Sequence, residues 1–167
     1  GKPFTKPSAD TRRSFRRDVQ VIFQDPSASL NPRQTVGQAI GNILVGTGMA
    51  AKGEVRGTVE GLLEAFGLAP ASNFVGRYPH ELSGGQQQRV AIARAFAVAP
   101  RLIIADEPLA SLDVSVRRQV LELMVSKQRE TGVGYVIITH DLSMVGSVAD
   151  WLAVMYRGRV VESGPAS

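Results

Sequence analysis

The chain has 167 residues, 44% of them hydrophobic and 20% charged, which is enough apolar material for one domain with a core and too much for a disordered chain. It has no cysteine, which excludes disulfides and thiolate metal sites and fits a reducing compartment, and no apolar run approaches the roughly 18–20 residues that a bilayer-spanning helix needs. The net charge is +4, with much of the excess in Arg12, Arg13, Arg16 and Arg17.

Residues 1–18 are polar, contain Pro3 and Pro7, and read as a loop or a fragment of strand. Their arginines fit a solvated face, a face that meets a partner, or a patch for nucleic acid or a membrane surface. Only Phe15 interleaves among them, which weakens the nucleic-acid reading. VQVIFQ (19–24) is a β-branched run of the kind that makes a buried strand. DPSASLNPR (25–33) is dominated by turn formers and reads as a loop. Val36, Ile40, Ile43 and Leu44 have helical spacing and predict a helix over 35–49, against the preference of its glycines. Val55, Val59, Leu62, Leu63 and Phe66 predict a second helix over 54–68. A third opens within 81–95 and runs to about Val98, where Pro100 stops it. LIIAD (102–106) is a second buried strand. Residues 114–132 form a long amphipathic helix capped by Asp113 and ended by Gly132. GYVIITH (134–140) is a third buried strand, 141–149 a short helix with Asp141 at its cap, and 151–164 a hairpin turning near Arg157 and Gly158.

Apolar strands alternating with helices predict an α/β fold with a mostly parallel sheet covered on both faces. Ligands of such sheets collect beyond the carboxyl ends of the strands. Three strands end there in Gln24, in Asp106 with Glu107, and in His140, each able to handle a proton, a metal or a water. Asp106 suits Mg²⁺, which takes a few oxygen ligands and keeps waters, and Gln24 suits that water shell. Glu107 can act as general base on a water. His140 can donate to a phosphoryl oxygen. Taken alone, Asp-Glu-Pro serves equally well as a pair of helix-capping acids on a loop. His80, in the loop YPHE, reads as a surface residue without a catalytic role.

ELSGGQQQRVAIARA (81–95) sets two glycines against the start of an alanine-rich helix. Ser83 and Gln86 match a capping box. The first-turn amides carry partial positive charge, and Gly84 and Gly85 let a ligand come close to the backbone. The combination makes an anion site at a helix N-terminus, shaped for a terminal phosphate. The plainer alternative is a glycine-softened cap with no ligand.

LSGGQQQR (82–89) resembles the signature motif of ATP-binding cassette (ABC) ATPases. LIIADEP (102–108) resembles their Walker B strand with its catalytic glutamate, SLD (111–113) their D-loop, His140 their switch histidine and FQDP (23–26) their Q-loop. All five occur in the family's order over 19–164, and the ordered set is far more specific than any one motif. VIFQDPSASLNPRQTVG (21–37), RYPHELSGGQQQR (77–89) and ADEPLASLDVSV (105–116) are similar to the branch that energises import of oligopeptides, dipeptides, glutathione or nickel complexes.

The resemblance implies a P-loop NTPase-like (RecA-like) core over 19–35 and 99–167, with an inserted helical signalling subdomain over about 36–98 that includes the signature helix. It implies ATP and Mg²⁺ as cofactors, with Asp106 and Gln24 at the metal and Glu107 and His140 as catalytic residues. It implies a second ABC ATPase subunit, identical or related, packed head to tail. Ser83, Gly84, Gly85 and Gln86 of one would face the γ-phosphate held by the other, and Gln24 and Asp113 would also lie at the nucleotide. It further implies permease transmembrane subunits contacted through Leu30, Asn31, Pro32 and Arg33, a solute-binding protein reached indirectly, and a peripheral place on the cytoplasmic face of a bacterial inner membrane. DNA-maintenance and translation-associated ATPases share these motifs, but the long heptad segment or paired cassette expected of them is not in the sequence, so no nucleic acid is expected. A non-catalytic truncated cassette is a third reading.

One family element is not in residues 1–167: a Gly-rich loop ending in Gly-Lys-Ser/Thr. Gly1 and Lys2 are followed by Pro3. The expectation is an N-terminally truncated cassette, with the Walker A loop and the adenine-stacking aromatic upstream and the branch's C-terminal extension also outside the chain. That lysine and its neighbouring amides supply most of the cradle for the β- and γ-phosphates. The chain by itself is therefore expected to bind Mg-ATP weakly, not to hydrolyse it, and to expose apolar sheet surface.

Overall fold

A computed structural model describes residues 8–51, 53–110, 112–141 and 148–166; most of the helix read over 141–149 lies outside them. Strands β1 (Val19–Ile22), β2 (Leu102–Asp106) and β3 (Gly134–Ile138) form a parallel sheet in that order. Val21 pairs with Ile104 and Ile104 with Val136, while Ile22 pairs with Ala105 and Ala105 with Ile137. Parallel neighbours need crossovers, so the segment from residue 23 to 101 joins β1 to β2, and α6 (Val114–Thr131) lies between β2 and β3. The carboxyl ends of the three strands therefore share one rim, as the sequence reading requires.

The sheet departs from that reading in its covering. Ile22, Ile103 and Ala105 are buried, whereas Val21, Val136 and Ile138 are 38%, 48% and 52% exposed. Strand side chains alternate between faces, and among the described residues helices cover one face only. The strands are apolar on both sides, which is why their sequences read as doubly buried.

Between β1 and β2 come α2 (Pro26–Ser29), α3 (Val36–Thr47), α4 (Val55–Ala65) and α5 (Gly84–Phe96). α3 starts at a capping box between Thr35 and Gln38 and ends at Gly48 with φ 74, where only glycine turns the chain without strain. α5 is buried nearly all round, through Gln88, Val90, Ala91, Ile92, Ala93, Ala95 and Phe96. Its alanines let α3, α4 and β1 approach closely, so one hydrophobic cluster runs from the helical insertion into the sheet. Phe66 and Phe96 pack in it with ring centroids 5.1 Å apart.

Two sequence expectations are corrected here. Residues read as loop or strand form α1 (Ala9–Asp18): the Ser8 hydroxyl accepts the Thr11 amide at 3.2 Å, Asp10 sits in the first turn, and Arg16 and Arg17 sit in the last, all in accord with the helix dipole. None of its residues is buried, so it has no apolar stripe for periodicity to detect. The segment read wholly as loop contains the single turn α2, opened by Pro26, a residue preorganised for a first helical position. Leu30, beyond it, is only 3% exposed and anchors in the core, while Asn31, Pro32 and Arg33 are exposed. At the other end, β4 (Trp151–Tyr156) and β5 (Arg159–Pro165) form the expected hairpin, with φ 46 at Arg157 and φ 77 at Gly158. Two positive φ angles in a two-residue loop match the right-handed twist of the strands. Among the described residues no helix is long and apolar enough to cross a membrane.

Candidate functional site

Glu107 follows β2 with φ 45, a left-handed conformation that costs a non-glycine residue about 1–3 kcal/mol. Its amide donates to the Ile138 carbonyl at 2.8 Å, so the end of β3 holds the strained backbone in place. Carboxylate oxygen Oε1 accepts the His140 amide at 2.9 Å and lies 2.5 Å from His140 Nδ1. Oε2 accepts the Thr139 hydroxyl at 3.2 Å. Burial pushes the Glu107 carboxyl up, but the His140 ring, the His140 amide, the His140 charge and the Thr139 hydroxyl together outweigh it and hold the group below its ordinary value of 4.5. Glu107 is therefore a carboxylate at neutral pH, and Nδ1 of His140 is the donor towards it. Glu107 is 18% exposed at its side chain and His140 81%, so the imidazole is open to whatever approaches the rim. The pair lines a cavity of about 50 Å³, with room for a water or two.

Asp106 ends β2 and Gln24 lies two residues beyond β1, on the same rim; both are exposed and neither lines that cavity. Their side chains have no hydrogen-bond partner among the described residues. Two uncommitted oxygen donors at neighbouring strand ends fit Mg²⁺, an ion that keeps several waters and binds few protein oxygens. No cluster of three or more His, Cys, Asp or Glu suited to a metal occurs among the described residues, so the donor set is not an all-protein cage.

The tip of α5 builds a second cavity. Both halves of the capping box are present: the Ser83 hydroxyl accepts the Gln86 amide at 3.3 Å, and Gln86 Oε1 accepts the Ser83 amide at 3.0 Å. That leaves the amides of Gly84 and Gly85 as first-turn donors without an intrahelical partner. Ser83, Gly84, Gly85 and Gln86 line an open cavity of about 330 Å³ together with Asp113 and Arg89. The two glycines answer different demands. A Cβ on Gly84 would meet nothing within 4 Å, whereas a Cβ on Gly85 would come 2.8 Å from Val116 Cγ1 on α6. Gly84 leaves the backbone open to a ligand; Gly85 also lets two helices pack. Asp113 stands at the N-cap of α6 as expected, but its carboxylate makes no capping hydrogen bond and is left facing this cavity.

The expected site residues are thus grouped in three. Glu107 and His140 share the small cavity, Ser83, Gly84, Gly85, Gln86 and Asp113 share the large one, and Asp106 and Gln24 sit on the rim. The stretch after β2 contributes to both cavities, with Glu107, Leu109 and Ala110 at the small one and Leu112 and Asp113 at the large one. Sequence reading missed Thr139, although a hydroxyl next to a rim histidine was the signal. It also missed Arg89, which donates to the Gly67 carbonyl at 3.2 Å and to Gln119 Oε1 at 2.7 Å and so ties α5 to the end of α4 and to α6. Gln88 is wholly buried, and neither of its amide atoms has a hydrogen-bond partner among the described residues. His80 is exposed and stacks on Tyr78, with centroids 5.7 Å apart.

Known proteins resemble this chain in sequence and in fold. The model of the ABC transporter family matches residues 1–110. Over 158 residues the chain is 49% identical to the glutathione import ATP-binding protein GsiA of Salmonella typhimurium (strain LT2), covering 95% of this chain and 25% of that protein. Against GsiA of Escherichia coli (strain K12) it is 48% identical over 152 residues, with 91% and 24% covered. The chain spans about a quarter of the length of these curated relatives. Among solved structures, cbiO1 from Clostridium perfringens, part of the ABC transporter complex cbiONQ, superposes with a TM-score of 0.82 at 31% identity, over 95% of this chain and 61% of that one. The ATP-binding cassette MJ0796 bound to ADP and Pi gives 0.82 at 29% identity, over 97% and 69%. A family model that matches well over half of the residues, on a fold shared with two solved cassettes, leaves one conclusion: the chain belongs to the ABC transporter family, within its ATP-binding domain.

Proposed function

We propose that the chain is part of the ATP-hydrolysing subunit of an importer for glutathione, peptides or related small solutes. In this reading two cassettes pack head to tail, and the tip of α5 in one closes on the terminal phosphate of ATP held by the other. Residues 19–35 and 99–167 belong to the nucleotide-binding core, about 36–98 form the helical signalling subdomain, and Asn31, Pro32 and Arg33 face a permease subunit at the cytoplasmic side of a membrane. The observation that carries the reading is the presence of two complementary half-sites on one chain. One is an open cavity whose free donors are main-chain amides at a helix tip, suited to a phosphate. The other is a water-sized cavity beside a carboxylate and an imidazole.

The geometry supports a role for each residue in this reading. Glu107, ionised and open to its cavity, takes a proton from a water as that water attacks the γ-phosphorus. His140, when both ring nitrogens carry a proton, keeps Nδ1–H on Glu107 and donates Nε2–H to a phosphoryl oxygen, where charge grows as the bond to the β-phosphate oxygen breaks. ADP and inorganic phosphate leave, and the proton ends on phosphate. Ser83, whose hydroxyl oxygen is used in the cap while its proton is free, and the amides of Gly84 and Gly85 grip the outer phosphate from the neighbouring copy. Asp106 directly, and Gln24 through water, would hold Mg²⁺, which offsets the charge of the β- and γ-phosphates when bound.

The test is Glu107→Gln in the full-length protein. ATP binding should persist while steady-state hydrolysis falls by about 10²–10³; turnover near that of the parent would remove Glu107 from the reaction. Residues 1–167 alone contain no Gly-Lys-Ser/Thr loop, so their dissociation constant for Mg-ATP should be weaker than about micromolar by isothermal titration, and a tighter value would show that the cradle lies within them.

A further inference from the structure

We propose that Arg117 is a positioning residue that locks the loop between β2 and α6 to the segment carrying His140, so that the two cavities respond as one unit. This rests on the proposed roles of Glu107 and His140. Arg117 lies one turn into α6, and its side chain is 38% exposed. Its Nε donates to the Leu112 carbonyl at 2.7 Å, and its Nη2 donates to the Ala110 carbonyl at 3.2 Å. Its Nη1 lies 3.9 Å from Asp141 Oδ2. One guanidinium therefore reaches two loop carbonyls and a carboxylate from the segment that follows β3. A planar fork with donors in fixed directions can do this; an ammonium, a single point of charge, cannot serve all three directions equally.

Both sides of this bridge touch the candidate chemistry. On one side, Leu112 lines the cavity at the tip of α5 beside Asp113, and Ala110 lines the cavity of Glu107. On the other, Asp141 follows His140, and its amide donates to Thr139 Oγ1 at 3.1 Å. That same hydroxyl donates to Glu107 Oε2. A continuous set of contacts thus runs from the loop that borders the open cavity, through Arg117, Asp141 and Thr139, to the carboxylate. Helix stability does not explain the placement, because a cation near the positive end of a helix gains nothing from the dipole, and the first turn of α6 holds no acidic residue to offset it. What Arg117 contributes is the relative position of two loops.

The experiment uses the full-length protein and measures kcat and KM for ATP together with the thermal midpoint. Arg117→Met should lower kcat about tenfold with KM within about twofold of the parent and the midpoint nearly unchanged. Arg117→Lys should recover part of the loss. Asp141→Asn should lower kcat in the same sense, and the double variant should be no slower than Arg117→Met alone, since both remove one bridge. A kcat for Arg117→Met within about twofold of the parent, or losses that multiply in the double variant, would overturn the proposal. If Arg117→Met does not fold, Asp141→Asn decides from the other end: a fall in kcat at constant KM supports the bridge, and parental kcat overturns it. Glu107→Gln in the same assay separates the two levels. An inactive Glu107→Gln beside a parental Arg117→Met sinks the bridge alone, whereas an active Glu107→Gln sinks the reading beneath it as well.

Discussion

The cavity at the tip of α5 and the cavity beside Glu107 are built on opposite plans. The first is open, about 330 Å³, and offers main-chain amides that nothing in the helix uses. The second is about 50 Å³ and is walled by side chains already bonded to one another: Glu107 to His140 and Thr139, and Arg117 to the loop carbonyls. An unfilled set of donors recognises something brought to it, while a preorganised set is ready to act without rearranging. Substitutions that face only the open space of the first, as at Gly84, should therefore weaken the grip on what is brought to it and leave folding alone, and substitutions in the second should change turnover and leave binding alone.

The largest effect that can break this contrast is the loss of turnover in Glu107→Gln, with nucleotide binding kept. Next comes Gly84→Asp. No atom stands within 4 Å of a Cβ there, so the thermal midpoint should hold, but a carboxylate at the mouth of the anion site should cut ATP turnover of the assembled protein by roughly tenfold. Its neighbour sharpens the point. Gly85→Ala drives a methyl to 2.8 Å from Val116 Cγ1, and the fold should lose about 1–3 kcal/mol in a denaturant titration. If Gly84→Asp also unfolds the protein, or Gly85→Ala does not destabilise it, the division of labour between the two glycines is wrong.

The smallest effect concerns acid. The folded Glu107 carboxyl sits below its ordinary value of 4.5, so the stability that it contributes is complete above that value and is lost as pH falls through the depressed one. As pH falls from neutral through 4.5 and below, the thermal midpoint of the parent should fall more steeply than that of Glu107→Gln, which has no such proton to take up. Parallel curves would show that the His140 and Thr139 contacts do not hold the carboxylate in solution.

Much of the architecture could be read before any coordinates. β1, β2 and β3, the helices from α3 to α6 and the turn at Arg157 and Gly158 fell where apolar spacing and turn chemistry placed them, because burial imposes a period on the sequence and positive φ restricts the residue. α1 was not legible: none of its residues is buried, so its only marks were a serine cap and the order of its charges. Leu30 read as part of a docking tract, yet it is 3% exposed, because a single leucine in a polar loop carries no period at all. At the candidate site, the capping box of Ser83 and Gln86 was written in a three-residue spacing and is present as read. The packing demand on Gly85 was not, since Val116, which enforces it, belongs to another helix.

From its residues alone the chain declared an α/β sheet with a polar rim and a helix tip suited to an anion, because local geometry and burial periodicity act over a few positions and leave a repeating trace. Only the tertiary structure decided that Glu107 is strained and gripped by His140 and Thr139, that the sheet is covered on one face among the described residues, and that Arg117 spans two loops. Those features depend on contacts between segments distant in sequence, and hydrogen-bond geometry at about 3 Å leaves no periodic mark on the chain that makes it.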